Sequence, residues 1–207
     1  MNKTVFLLVL VSLLFAVEPL SAQKGNADPE PLESYEVYTD LEKALQNPDS
    51  VYRLKIKKCK KCDSLPETVF AFRNLQELTV HGVRLKVLNH RIGELKSLRV
   101  LDVSRNKLVR LPEEIGQLTQ LEKLIVNRNK IEELPESIGN LKKLEMIDAW
   151  STTLYVLPTS ITELKKTLQT IDLRQIPLRD TELEAMEKML PDTKILFTSV
   201  CECENNR

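Results

Sequence analysis

Apolar residues recur every 23 positions through the middle of this chain, and that period limits its fold more than any other feature. Leucine occupies 35 of 207 positions, and its spacing carries most of the information. Blocks beginning at Leu75, Leu98, Leu121 and Leu144 align almost residue for residue. One block reads Leu98, Leu101, Val103, Asn106, Leu108, Leu111, Pro112, Ile115, Leu118; the next reads Leu121, Leu124, Val126, Asn129, Ile131, Leu134, Pro135, Ile138, Leu141. One-residue insertions extend the frame back to Val51 and forward to Leu178, for six blocks. A block this short cannot bury its own apolar face, so the units must stack on one another to form a continuous core.

Each half of the block has its own local logic. The L-x-x-L-x-L stretch alternates at period two, so a short strand points its leucines inward and the intervening residues outward. After L-P the apolar residues come three apart, as at Ile115 and Leu118, which suits a single turn of helix or 3-10 helix on the opposite side. Asn106 and Asn129 fall where the chain turns out of the strand. There a side-chain amide can satisfy backbone groups buried between blocks. Val83, Thr152 and Ile176 replace that Asn in other blocks and interrupt the ladder.

The pattern resembles the leucine-rich repeat family, with its L-x-x-L-x-L-x-x-N/C-x-L signature, over residues 51–179. The L-P-x-x-I-G-x-L half is similar to the 23-residue class found in many bacterial secreted proteins and in intracellular Ras-signalling scaffolds, and the chain as a whole resembles the small bacterial secreted members. The resemblance implies an α/β solenoid, with a curved parallel sheet on the concave side and short helical or 3-10 turns on the convex side. It also implies protein–protein recognition through the concave sheet, no catalysis and no cofactor. Cys59 then falls on the N/C turn position, where the family tolerates a buried cysteine.

The segments outside the repeats read as follows. Met1-Asn2-Lys3, an apolar run from Val5 to Val17 and a small residue at Ala22 make a secretory signal peptide over 1–22. Thirteen apolar residues would rise only ~20 Å as a helix, short of the ~30 Å hydrocarbon core, so no transmembrane anchor is expected. Residues 23–34 are polar with two prolines, an expected disordered lead-in. Residues 35–50 form an expected N-terminal helical cap opened by Thr39-Asp40-Leu41-Glu42. Residues 180–199 form a helix–strand cap opened by Thr181-Glu182-Leu183-Glu184, leaving a cysteine-containing tail at 200–207.

Charge excludes some functions. Lys+Arg and Asp+Glu both total 30, which gives no support to nucleic-acid binding driven by bulk positive charge. No nucleophile elbow, H-E-x-x-H or P-loop is present, and with His81 and His90 as the only histidines, no metal is expected. In an exported chain Cys59, Cys62, Cys201 and Cys203 default to disulfides, and opposite ends of a rigid solenoid would keep such bridges local. Structural roles outweigh a redox or half-zinc reading of Cys59 and Cys62.

Two surfaces stand out. Arg53, Lys55, Lys57 and Lys58 open the first block as a patch that an anionic glycan or lipid headgroup would fit. The competing reading is that lysines guard an end strand against edge-to-edge pairing. On the concave positions of later blocks the single Trp of the chain, Trp150, lies near Ile125, Met146 and Asp148. Arg105, Arg128 and Arg174 surround it. Exposed Trp and Arg together are the usual composition of a protein-binding hot spot. Alternatively, Trp150 covers a gap beside the undersized Ala149.

Overall fold

The structure is a computed structural model that describes residues 31–57 and 63–198. The signal segment 1–22, most of the lead-in, Lys58, Cys59, Cys62, Cys201 and Cys203 lie outside the described residues.

Eight strands form one sheet in sequence order, every neighbouring pair parallel. They are β1 Val37–Tyr38, β2 Arg53–Ile56, β3 Glu77–Val80, β4 Val100–Asp102, β5 Lys123–Ile125, β6 Met146–Asp148, β7 Thr170–Asp172 and β8 Lys194–Leu196. Register follows the repeat: Leu78, Leu101, Leu124, Ile147 and Ile171 align across β3 to β7. All five are buried, and they join one core running from Ala44 to Leu190. The strands are short because each repeat needs only enough chain to place two or three inward side chains before it turns back.

The return path is a 3-10 turn in repeats one to five: Glu67–Ala71, His90–Glu94, Glu113–Gln117, Glu136–Asn140 and Thr159–Leu164. Pro precedes four of the five, and Asn89 takes its place in the other, accepting the Arg91 N–H at 2.9 Å. The turns stack so closely that glycine is required between them. A Cβ on Gly116 would lie 2.5 Å from the Ser137 carbonyl oxygen, and one on Gly139 2.6 Å from that of Ser160. Acidic residues tie one turn to the next. Glu113 accepts from Ser137 N–H, and Glu136 from both Thr159 and Ser160 N–H. Hydrogen bonds from Ser160 and Thr159 hold the Glu136 carboxyl below its ordinary range.

The ends differ from the sequence reading in four places. The polar lead-in does not stay irregular to residue 34: Leu32–Ser34 form a 3-10 turn with Leu32 buried. The N-terminal cap contributes a strand, β1, as well as helix α1 Leu41–Ala44, so the sheet begins before the first repeat. Asp40 rather than Thr39 caps α1, accepting from Glu42 and Lys43 N–H. Helix α2, Asp180–Met189, starts one residue before Thr181, and Glu182 reaches back to the Arg179 N–H at 2.8 Å. In both helices a carboxylate that reaches a free backbone N–H fixes the first turn.

Candidate recognition site on the concave face

The strand exits build this surface. In repeats three to six the residue after the strand's last inward position leads into a left-handed turn: Arg105, Arg128, Ser151 and Gln175 have φ between 52° and 59°, and Gly82 in repeat two has 69°. Successive turns are stitched together, with the Arg105 N–H donating to Asn127 O and the Arg128 N–H to Trp150 O, both at 2.9 Å. Arg105 and Arg128 therefore sit at the rim just past the strands rather than on the outward strand positions that simple alternation assigned.

The amides beneath them anchor the rim. Asn106 Oδ1 accepts from Val83 and Leu85 N–H at 3.1 and 3.0 Å, and its Nδ2 donates to Val80 and Val103 carbonyls at 2.6 and 2.9 Å. Asn129 accepts from Leu108 N–H and donates to Val103 and Val126 carbonyls. Each buried amide thus closes backbone groups of its own repeat and of the one before it.

Trp150 sits half-buried at the end of β6, with the Arg128 guanidinium 4.2 Å from its ring centroid. No carboxylate pairs with Arg128 among the described residues, so the ring face is its main partner, worth about 0.5–2 kcal/mol. Asp148 steadies the backbone below: Oδ1 accepts the Trp150 N–H at 3.2 Å and Oδ2 accepts Asn127 Nδ2 at 2.6 Å. Ile125 is half-buried beside Asp148 in the sheet register, and Met146 is 38% exposed. Trp150 therefore meets Arg128 and rests on Asp148, with Ile125 opposite Asp148 in register, while Met146 lies at the far end of β6 opposite Lys123. Arg174 lies beside Trp150 on the next repeat, where the Ser151 N–H donates to its carbonyl at 2.9 Å, but its side chain turns back on Asp172 with Nη2 to Oδ2 at 2.6 Å. Burial pushes the Asp172 carboxyl up, but hydrogen bonds from the Arg174 side chain and amide outweigh it and leave it below its ordinary value.

Two further features escaped the sequence reading. Asn127, which orients Asp148, gave no signal beyond its place in the outward column. Ser104 is buried, donating to Asp102 Oδ1 at 2.5 Å and lying 2.9 Å from His81 Nδ1. The order is acid, hydroxyl, imidazole. A nucleophilic triad needs the imidazole in the middle, so this chain orders the surface instead of activating the serine.

The basic first repeat is smaller than its sequence. Arg53 is half-buried and paired with Glu77 at 2.6 Å, so it is withdrawn from any anionic-ligand patch. Lys55 and Lys57 remain exposed, and Lys58 is outside the described residues.

The family model for leucine rich repeat matches residues 73–131, the stretch that carries the Asn ladder and the regular turns. The fold is a leucine-rich repeat solenoid. Among solved structures the repeat protein is similar to a leucine-rich repeat protein of Leptospira interrogans, with 28% identity and a TM-score of 0.59 over 79% of this chain and 54% of that one. It therefore spans about half the length of that relative. It also shares its fold with an internalin of Listeria monocytogenes, at 16% identity and a TM-score of 0.55 over 73% of this chain and 42% of that one. No curated sequence matches the repeat protein. No helix among its described residues is long and apolar enough to cross a membrane. Leucine-rich repeat proteins generally mediate protein–protein interaction, using the extended surface that stacking creates.

Proposed function

We propose that this protein is an exported, non-catalytic recognition module that binds a protein partner on its concave face around Trp150. The observation that carries the reading is the Arg128 guanidinium stacked 4.2 Å over the Trp150 ring without a carboxylate partner among the described residues. A Trp–Arg pair left partly open to solvent offers a partner an aromatic face, a guanidinium fork and the apolar flank of Ile125. Asp148, itself held by Asn127, fixes the backbone at Trp150, which lowers the entropy lost on binding. Export rests on the sequence of residues 1–22. The anionic-polymer alternative at the first repeat loses Arg53 to Glu77 and keeps Lys55 and Lys57.

The test is cross-linking capture from cell-envelope and host-surface extracts with the wild-type protein, a Trp150→Ala/Arg128→Ala variant and a convex-side Lys142→Ala/Lys143→Ala control. A partner held by wild type and control and lost by the concave variant supports the reading. Equal capture by all three removes the Trp150-centred site.

A further inference from the structure

We infer that the turn edge of repeats two to four, next to Trp150, is a docking ridge for an extended acidic protein segment that also carries apolar side chains. The inference deepens the recognition reading and rests on it for Trp150 as the end point of the ridge. Its own support is a set of cations in register. Arg84, Lys107 and Lys130 recur 23 residues apart on the rim, with Arg105 and Arg128 in the neighbouring column. All five are exposed, and none forms an ion pair among the described residues. Arginines elsewhere among the described residues are commonly paired: Arg53 with Glu77, Arg91 with Glu67 and Glu94, Arg99 with Glu122.

The spacing of these charges is set by the backbone. Lys107 N–H donates to Leu85 O and Lys130 N–H to Leu108 O, each at 2.8 Å, so adjacent repeats hold their cations about 4.8 Å apart along the solenoid axis. Arg105 and Arg128 accept a left-handed φ at a position where repeat two uses glycine. A non-glycine residue there is intrinsically less favourable than glycine, and at these two repeats the place is held by a long cation.

Apolar groups on the same edge favour protein over a sulfated polysaccharide. Val87 is 57% exposed, Val109 44% and Tyr155 55%, all beyond the cation columns on the way to the convex side. A polyanion without apolar groups gains nothing from these side chains. A peptide of mixed acidic and apolar residues can meet the cations with one set of side chains and cover the valines and Tyr155 with the other.

Fluorescence anisotropy with four labelled probes tests this: a peptide repeating Glu-Asp-Leu with one Phe, its Gln-Asn-Leu counterpart, its version with Leu and Phe replaced by Ser, and a heparin-derived octasaccharide. The acidic peptide should bind the wild-type protein, and the Lys107→Glu/Lys130→Glu variant should weaken it at least about tenfold. Arg105→Gly should weaken it as well while keeping the Tm, because glycine already serves that turn in repeat two. Salt near 1 M, where screening falls to about 3 Å, should remove most of the binding. Absence of peptide binding, or binding unchanged by the charge reversal, overturns the ridge. So does tighter binding of the octasaccharide together with equal binding of a peptide whose Leu and Phe are replaced by Ser. If Trp150→Ala binds the peptide normally and the charge reversal does not, the ridge stands and the Trp150-centred reading fails; the opposite pattern overturns the ridge alone.

Discussion

Repeats three and four differ from repeat five in how they close the gap to the preceding repeat. Asn106 and Asn129 reach back: their oxygens accept amides of the earlier repeat, and their nitrogens donate to carbonyls of both. Thr152 occupies the same place in repeat five but bonds only within its own repeat, donating to Ala149 O at 2.7 Å and accepting from Leu154 N–H at 3.4 Å. The amide it should serve belongs to Ile131, which is 1% exposed and finds no acceptor among the described residues. The same two regions differ on the convex side. Gly116 and Gly139 are pressed against the next repeat's backbone, whereas Thr162 fills that place in repeat five, because no further 3-10 turn follows it before α2. A repeat is thus defined by what its neighbour requires. Where the neighbour changes, both the polar and the steric demands relax together.

Removing the amide should have the largest effect. Asn106→Ala leaves the buried Val83 and Leu85 N–H groups unpaired, at about 1–3 kcal/mol each, so a loss of about 4 kcal/mol is expected in urea unfolding. Thr152→Ala should cost only about 1 kcal/mol, since no other repeat depends on it. Equal losses would erase the distinction between the two regions.

Gly116→Ala comes next. Its new methyl meets a carbonyl oxygen at 2.5 Å, in backbone that cannot swing aside, and a loss of about 3 kcal/mol is expected. Thr162→Ala should stay within about 1 kcal/mol of wild type, because that position already holds a side chain. A stable Gly116→Ala protein with an unshifted Tm would show that the turns have room to separate.

The sharper test is a repair. Thr152→Asn should supply the missing acceptor for the Ile131 N–H and stabilise the protein by about 1 kcal/mol. Slower hydrogen exchange at Ile131 would locate the gain, and destabilisation would mean that the space beneath repeat five differs from that beneath repeats three and four.

The smallest expected effect is a pH dependence at the end of the sheet. Because Asp172 is depressed in the folded state, its contribution is fully present above the ordinary carboxylate pKa of about 4 and is lost as pH falls through the lower folded value. Arg174→Ala removes the hydrogen bonds that hold it down. The Asp172 carboxyl resonance should then titrate at higher pH, and acid unfolding should begin earlier. An unmoved titration would assign the depression to something other than Arg174.

Much of this was legible from leucine spacing, and some was not. The inward face of β3 to β7, the prolines before the turns and the places of Asn106 and Asn129 all follow from a period that each repeat restates. Strand β1 was illegible because two residues carry too little alternation to register as a strand, and they pair only once β2 is in place. The left-handed turns were announced by Gly82 alone, since Arg105, Arg128, Ser151 and Gln175 are forced into that conformation by stacking rather than by their own preference. For the same reason Arg53 read as a free cation until the sheet register set Glu77 beside it.

The amino-acid order by itself determined the repeat, the parallel sheet and the choice of which residues enter the core, because burial of evenly spaced leucines has one solution at that period. Only the tertiary structure decided which charges are spent on one another and which remain open. Pairing depends on side chains one repeat apart, 23 residues away along the chain and a single strand spacing away in space.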